Sequence, residues 1–318
     1  MNKKICQRVF IPILFAVSYF FMSVAALAVQ CGDTIVTPTV LLQDLSCDIT
    51  PANPVAVTVV GPAGSLTLLN SEISCSNINP NAADPAGVVL LGVGARLSGG
   101  KISNCPDAVR VAGNGFHAVF GTKITNSVRY GILIESKNNT VTQASITFSG
   151  IDGVVLDSSD NTVIESQISH SNLDGITILN DNNHILSNIL DSNGNDGLQI
   201  FGDNNRVTNN NFENNGASGI NGTAADLSIF SQNFIKGSGQ NGLEIRGVDN
   251  LISQNISLEN GISGILMANN PDTTNVIVGN FALDNLFDLV DVNDPGDCSA
   301  DNIWLDNTFV TASPPCLD

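Results

Sequence analysis

Apolar and polar residues alternate along most of the chain in a unit of about 22 residues. The unit is clearest where it opens with Asp-Gly followed by an apolar residue, at Asp152, Asp174 and Asp196. Six weaker copies open at Ala86, Asp107, Tyr130, Ser218, Asn241 and Ser263. The spacing between successive copies stays between 21 and 23 residues. A constant period of this length is typical of a solenoid, a propeller or another repeat array.

The first positions of each copy have the pattern of a short strand. Counting from the opening residue, position 2 is Gly in eight of the nine copies, with Ala108 as the exception. Positions 3 and 5 are apolar, apart from Gly222 at position 5, and the residues between them vary. This period of two predicts a strand with one buried face. We expect side chains at positions 3 and 5 to be buried, and those at positions 4 and 6 to be exposed.

Two further apolar columns follow in each copy. Position 12 carries Val141, Val163, Ile185, Val207 and Ile229. Five residues later come Ile146, Ile168, Leu190, Phe212 and Phe234. No window has the periodicity of a helix. Short strands without helices predict an all-β, right-handed parallel β-helix of about ten rungs, which stack at ~4.8 Å. A leucine-rich repeat needs a Leu pattern that is absent here, and a propeller blade needs about twice the period.

Two polar columns accompany these strands. Position 10 carries Asn139, Asn161, Asn183, Asn205 and Asn250. Stacked Asn amides can hydrogen-bond along the solenoid axis, and Asn tolerates a left-handed turn, so we interpret this column as structural. Asp152, Asp174 and Asp196 form the second column. They could bind calcium, but the same column also carries Ser218, Asn241 and Ser263, which favours carboxylates that accept a backbone N–H in their own turn.

The N-terminal 28 residues differ from the rest of the chain. A basic start with Lys3, Lys4 and Arg8 precedes a 20-residue apolar run that ends in Ala26-Leu27-Ala28. This order predicts a secretory signal peptide over residues 1–28, with an uncleaved membrane anchor as the alternative. The remaining residues 29–318 divide into an N-terminal cap with the first rungs (29–85), regular rungs (86–286) and a C-terminal cap (287–318).

Cysteine usage agrees with export. The chain has seven Cys, and one of them, Cys6, lies in the signal segment. Six cysteines in an exported chain predict disulfides, and neighbouring pairs are the simplest arrangement. We expect the bonds Cys31–Cys47, Cys75–Cys105 and Cys298–Cys316. Zinc is the rival, but no Cys-x-x-Cys motif accompanies these residues.

Composition and charge exclude several classes of partner. Removal of residues 1–28 leaves nine basic against 30 acidic residues, a formal charge of −21. A chain of this charge repels nucleic acid and anionic membranes, so we expect neither nucleic-acid binding nor membrane insertion after cleavage. A hydrophobic content of 42% with only 13% charged residues indicates a folded domain and excludes disorder.

The rungs resemble the right-handed β-helix repeats of NosD-like and pectate-lyase-like exported proteins. The resemblance is carried by Asn161-Thr162-Val163 followed by Asp174-Gly175-Ile176, and it extends from about Val55 to Phe309. It implies a secreted or periplasmic β-helix protein. It implies no single activity, because this fold carries lyases, hydrolases, epimerases, adhesins and accessory proteins.

The sequence lacks the motifs that carry the known activities of this group. NosD-like proteins are associated with copper, which prefers His, Met or Cys, but Met267, His117, His170 and His184 occupy separate positions. The Asn-x-Asp, Asp-Asp and Gly-His-Gly segments of glycosidases of this fold are absent. Tyr130-Gly131-Ile132 begins like an alginate epimerase motif, but the catalytic residues do not follow. An enzyme of this sequence would be a polysaccharide lyase or a glycosidase outside these patterns.

One charged cluster is a candidate centre for ligand contact or catalysis. Arg110, Glu135 and Asp157 lie at outward positions on three successive rungs. Glu135 and Asp157 share a column, so their backbones should lie ~4.8 Å apart. Such a pair suits calcium or a retaining glycosidase, and Arg110 could hold a uronate or act as a lyase base. The alternative is a solvated ion pair of little energetic value.

The outward strand face continues with further candidate ligand-binding residues: Thr177, Gln199, Phe201, Glu244 and Arg246. Polar groups beside an aromatic ring suit sugar hydroxyls and a stacked sugar ring. The sequence therefore predicts a protein that binds an extended polysaccharide or cell-surface glycan, without a cofactor other than possible calcium. A structural or adhesive rod is the main alternative, and a NosD-like copper accessory protein is a weaker one.

Overall fold

The computed structural model describes residues 29–79, 81–268, 274–293, 302–315 and 317. These residues form 34 β-strands and no helix, and all their strand pairings are parallel. The chain coils as a right-handed β-solenoid, which confirms the predicted fold class. Within the described residues, no helix is long and apolar enough to cross a membrane. The segment predicted to be a signal peptide, residues 1–28, lies outside the described residues.

One sheet, which we call the first face, contains one strand from each rung. Its 13 strands are Asp33–Ile35, Val55–Val60, Ala86–Leu91, Asp107–Val111, Ile132–Ile134, Val154–Leu156, Ile176–Ile178, Leu198–Ile200, Ile220–Gly222, Leu243–Ile245, Ser263–Met267, Phe287–Asp291 and Ala312–Ser313. The count is close to the ten rungs expected. Val154 pairs with Ile176, and Ile176 pairs with Leu198, so equal positions of the repeat stack on each other.

The second sheet has 21 strands and bends into two further faces. The second face consists of Pro38–Leu41, Ala118–Phe120, Thr140–Thr142, Thr162–Ile164, His184–Leu186, Arg206–Thr208, Ile229–Ser231, Leu251–Ser253, Val276–Val278 and Ile303–Leu305. The third face consists of Leu45–Asp48, Lys123–Thr125, Ser145–Thr147, Gln167–Ser169, Ile189–Asp191, Asn211–Glu213, Phe234–Lys236, Ile256–Leu258 and Phe281–Leu283. Two long strands, Ser65–Ser76 and Arg96–Ser103, continue around the corner and belong to both faces.

The core fills the space between the three faces with the predicted apolar columns. Val154, Leu156, Val163 and Ile168 are fully buried, as are their equivalents on most other rungs. The predicted residues of the second and third apolar columns were wrong for one rung, the one that opens at Ser218. Its buried residues are Phe230 and Ile235, whereas Ile229 and Phe234 are half-buried. Since Val207 pairs with Phe230, this rung has one additional residue between its first and second strands, and a shift of one residue moves each side chain to the other face.

The prediction that positions 4 and 6 are exposed was only partly correct. Position 4 is buried at Val155, Thr177 and Glu244, whose exposed fractions are 5%, 8% and 6%. Each of these side chains has neighbours of the same column above and below, at about the ~4.8 Å rung spacing. Thr177 also packs against the carboxylates of Asp152 and Asp174. Burial at position 4 therefore arises from contacts between rungs.

Asn ladders form the corners of the solenoid. At position 10, the backbone N–H of Asn139 donates to Asn161 Oδ1, and that of Asn161 donates to Asn183 Oδ1, both at 2.9 Å. This confirms hydrogen bonding along the axis. The left-handed residue is instead the one before, such as Asp160 with φ 61°. Two further ladders, which the sequence analysis missed, occupy the other corners: Ser166, Asn188, Asn210, Asn233, Asn255, Asn280 and Asn307, and Ser171, Asn193 and Asn215 with Ser238, Asn260 and Asn285.

Two of the three predicted disulfides are present. Cys31 bonds to Cys47, and Cys75 bonds to Cys105, which ties the N-terminal rungs together. The third predicted pair, Cys298–Cys316, lies outside the described residues.

Candidate functional site

A row of polar side chains at position 1 follows the edge of the first face. Asp152 Oδ1 accepts a hydrogen bond from the backbone N–H of Asp174 at 3.0 Å, and Asp174 Oδ1 accepts one from Asp196 at 2.9 Å. Asp196 Oδ1 accepts from the N–H of Ser218 at 2.7 Å. The carboxylates thus accept backbone N–H groups, but from the next rung instead of from their own turn as the sequence analysis expected. Their structural role is to hold neighbouring rungs together.

The second oxygen of these carboxylates reaches toward position 4. The hydroxyl of Thr177 donates to Asp152 Oδ2 at 3.1 Å, and Asn221 Nδ2 donates to Asp196 Oδ2 at 2.9 Å. One rung further, Asn241 Nδ2 donates to Glu244 Oε2 at 2.8 Å. Hydrogen bonds therefore join the two rows at three places, and we call these residues the polar track: Asp152, Asp174, Thr177, Asp196, Asn221, Asn241 and Glu244.

Burial shifts the titration of the acidic residues in the polar track. Loss of hydration on burial raises the pKa of Asp196 to about 6. Hydrogen bonds from Ser218 and Asn221 lower this pKa in part, whereas the negative charges of Asp174 and Glu244 raise it further. Burial also raises the pKa of Asp152 and of Asp174. Asp196 can therefore exchange a proton near neutral pH, which distinguishes it from an ordinary surface carboxylate.

Half-buried and exposed side chains lie along the polar track on the outward side of the first face. Thr177, Gln199 and Asn221 pair in register on three adjacent strands. Phe201, two residues after Gln199, is 43% exposed. Further along, Arg246 donates to Glu244 Oε1 from Nε and Nη2, at 2.9 and 2.7 Å. The structure thus places all five predicted ligand-binding residues on the first face, with aromatic surface beside hydrogen-bonding groups.

The predicted charged centre is only partly assembled. Arg110 Nη2 donates to Glu135 Oε1 at 2.9 Å, and its Nη1 lies 2.9 Å from Asp84 Oδ1. Asp157 is exposed and hydrogen-bonds to Asn180 at 3.4 Å. The structure therefore joins Arg110 to Glu135 and Asp84, and Asp157 has no ion pair with them. Asp84 was missed because it precedes the regular repeat.

The surroundings of Arg110 favour binding over base catalysis. Hydrogen bonds to Glu135 and Asp84 hold the pKa of Arg110 above its ordinary value, so the guanidinium is a poor base. A cavity of about 350 Å³ adjoins it, lined by Pro54, Val55, Ala83, Asp84, Val89, Leu91, Arg110 and Ala112. The cavity is mostly apolar and opens on the first face, next to the charged group.

The donor set of the described residues does not fit a copper site. Within them, no three His, Cys, Asp or Glu side chains are grouped so as to hold a metal ion. His117 is buried: its Nδ1 accepts a hydrogen bond from the N–H of Ala95 at 3.0 Å, and burial lowers its pKa. The ring of His170 lies 5.0 Å from that of Phe148 and is tilted against it by 42°, and His184 lies on the second face. The three His residues are therefore separated, and we derive no step through copper.

Comparison with protein families gives two matches to the repeat region. The family model described as "Right handed beta helix region" matches residues 152–302. The model described as "Periplasmic copper-binding protein (NosD)" matches residues 69–226. No curated protein gave a significant sequence match.

Solved structures with a similar fold include several alginate epimerases. A double mutant of the periplasmic alginate epimerase AlgG has a TM-score of 0.67 at 14% identity, over 87% of this chain and 77% of that one. The A-module of the Azotobacter vinelandii mannuronan C-5 epimerase AlgE6 has a TM-score of 0.69 at 15% identity, over 88% and 86%. The Dettilon tailspike protein gives 0.58 at 16% identity, over 88% and 62%. At these identities the likeness shows the fold alone. The solenoid and the family matches make this chain a right-handed β-helix repeat protein, whose repeats are similar to those of the NosD family.

Proposed function

We propose that this protein is exported and binds an extended polysaccharide along the outward side of its first face. The binding surface runs from Thr177 past Gln199 and Phe201 to Glu244 and Arg246. The observation that carries the proposal is the exposed ring of Phe201 beside the half-buried amides of Gln199 and Asn221, along the polar track. Sugars present hydroxyls at their edges and C–H groups on their faces, and this surface matches both.

The rung geometry supports an extended ligand over a compact one. Each rung repeats the same outward positions at ~4.8 Å, so the surface offers equivalent contacts along a line instead of a single deep pocket. The cavity at Arg110 continues this face toward the N-terminus. Alginate epimerases among the structural neighbours are consistent with a saccharide ligand.

Charge narrows the class of saccharide. The chain has a formal charge of −18, and the polar track adds partly buried carboxylates. Since Glu244 already has Arg246 as its counter-ion, the first face has little free positive charge for a polyanion. A neutral polysaccharide, or one whose acid groups are bridged by calcium, therefore fits this face best.

Two observations support export as part of the proposal. Disulfides persist in oxidising compartments, and two are present in the N-terminal rungs. One matching family is described as periplasmic. We place the protein in the periplasm or outside the cell, after removal of residues 1–28.

Binding of neutral oligosaccharides to residues 29–318 tests the proposal. Phe201→Ala and Asn221→Ala should each weaken the binding of a long oligosaccharide about tenfold, because a ring that stacks on a sugar and a half-buried amide that can hydrogen-bond to it are lost. Phe120→Ala is the matched control: Phe120 is 50% exposed but lies on the second face, so affinity should be unchanged. If no oligosaccharide in a broad panel binds, or if all three variants bind alike, the structural-rod interpretation replaces this one.

A further inference from the structure

The second face differs in charge from the rest of the molecule. The chain has 30 acidic residues, yet none is found in the second-face strands of the described residues, including the segments Ser65–Leu68 and Arg96–Gly99. The outward residues there are hydroxyl-bearing, apolar or basic. An anion approaching this face meets no carboxylate on the sheet itself.

A pair of basic side chains lies in the middle of this face. His184 and Arg206 are register partners on adjacent strands, and both are exposed. Thr162 is the register partner of His184 on the other side. Three hydrogen-bond donors therefore follow each other at ~4.8 Å along one column. An open cleft of about 200 Å³ lies beside them, lined by His184, Ile185, Leu186, Arg206 and Thr208.

Arg206 is held in place without being neutralised. Its Nε donates to the hydroxyl of Thr208 at 3.3 Å, which orients the guanidinium over the sheet. No carboxylate of the described residues forms an ion pair with it. In contrast, Lys101, Arg110, Arg129, Lys236 and Arg246 each pair with an acidic residue. The charge of Arg206 is thus available to a ligand, beside the imidazole of His184.

We propose that the His184–Arg206 cleft is an oxyanion subsite that takes a carboxylate or sulfate group carried by a saccharide. The guanidinium offers two parallel N–H groups to such an anion, which is the geometry that arginine uses for carboxylates and sulfates. His184 and Thr162 supply additional donors. Leu186 supplies apolar surface for the C–H face of the sugar ring.

Most of the negative charge of the chain is screened at this cleft. Screening at physiological salt acts over about 8 Å, so distant carboxylates contribute little to binding at the cleft. The second-face strands carry no acidic residue in the described part of the chain, so the nearest carboxylates are those of the flanking turns, such as Asp181 and Asp203. The subsite lies on a different face from the polar track, so it can be tested independently of the function proposed above.

Titration calorimetry with three probes tests the subsite: an oligogalacturonate, an uncharged cello-oligosaccharide and inorganic sulfate. The oligogalacturonate should bind to residues 29–318, and Arg206→Gln should weaken it at least about tenfold, since hydrogen bonds to charged groups are the strong ones. His184→Asn should also weaken it. Phe201→Ala on the first face should have no effect on this probe.

The control variant is Arg96→Gln, which removes a basic residue from the same face, outside the cleft. If Arg96→Gln and Arg206→Gln weaken the oligogalacturonate equally, general electrostatics explains the binding and the subsite is refuted. Failure of the oligogalacturonate to bind also refutes it. Sulfate that competes with the oligogalacturonate in the native protein, but not in Arg206→Gln, supports the oxyanion chemistry. If sulfate binds to the cleft but the oligogalacturonate does not, the cleft is a site for a free anion, and the proposal that the anion is carried by a saccharide is refuted.

Discussion

A single buried Asn in a ladder connects several rungs of the solenoid. The side chain of Asn233 accepts the N–H of Asn210 at 3.0 Å. Its Nδ2 donates to the carbonyl of Val207 and to Asn255 Oδ1, each at 3.0 Å. All of these polar groups are shielded from water at the corner of the solenoid. Loss of the amide would leave several buried backbone and side-chain groups without partners.

Asn233→Ala should therefore lower the free energy of unfolding by about 3 kcal/mol, because buried polar groups that lose their hydrogen-bond partners cost free energy of this order. Urea denaturation of the purified chain measures it. Asn114→Ala is the control, since Asn114 is exposed and should change stability by less than about 0.5 kcal/mol. Equal effects of the two substitutions would contradict the structural role of the ladder.

Asp196 makes stability depend on pH in the direction opposite to an ordinary ion-paired carboxylate. Its folded-state pKa is raised to about 6 from 3.8, so between these values the folded state binds more protons than the unfolded state. Its contribution to stability is complete below about pH 4 and is lost as pH rises through about 6. At 1.4 kcal/mol per pKa unit, the contribution of Asp196 to the free energy of unfolding falls by on the order of 3 kcal/mol across this range.

Replacement of this carboxyl by an amide should remove that dependence. We expect the stability of the native protein, relative to Asp196→Asn, to fall between pH 4 and pH 7. Thermal or urea unfolding across this range measures the difference. A native protein that gains stability relative to Asp196→Asn as pH rises would show that Asp196 is not titrating near neutrality.

At the scale of the strand, the sequence pattern was sufficient for most rungs and failed for one. The rung that opens at Ser218 has apolar residues at both candidate positions, Ile229 and Phe230, and again at Phe234 and Ile235. Either register satisfies a period of two, so the pattern alone could not show which residue of each adjacent pair is buried. The register is set by the additional residue in the preceding turn, and this becomes visible only when Phe230 is seen to pair with Val207.

This register gives a sharp test with adjacent residues. Phe230→Ala should destabilise the protein by about 3–5 kcal/mol, because a large, fully buried ring leaves a cavity. Ile229→Ala, one residue away on the half-buried outward side, should cost about 1 kcal/mol or less. Calorimetric or urea unfolding of both variants compares them directly. A larger loss for Ile229→Ala would restore the register expected from the sequence.

At the scale of the whole molecule, the three faces carry different surface chemistry. About twelve rungs at ~4.8 Å give a rod on the order of 55–60 Å long. The first face carries the polar track and the cavity at Arg110. The strands of the second face contain no acidic residue in the described part of the chain. The two proposed ligand surfaces therefore lie on separate faces and suit ligands of different charge.

The candidate site could be predicted only where it follows the repeat. Thr177, Gln199 and Phe201 were found because the period assigns each residue to an outward column. The bond between Thr177 and Asp152 was not predictable, because it connects positions 4 and 1 of different rungs. Asp84 lies before the regular rungs, so the period assigns it to no column. His184 and Arg206, in contrast, occupy position 11 of successive copies, and the period alone indicates that they are neighbours. Contacts between rungs carry the information that a column-by-column pattern lacks.

Hydroxyl-radical footprinting of residues 29–318, with and without a bound neutral oligosaccharide, tests the central claim most directly. Phe201 and Leu179 are 43% and 41% exposed beside the polar track, and they should become protected when the ligand binds. Phe120 and Phe148 are 50% and 56% exposed away from the first face, and their reactivity should not change. Protection of Phe120 or Phe148, with Phe201 and Leu179 unaltered, would contradict the assignment of saccharide binding to the first face.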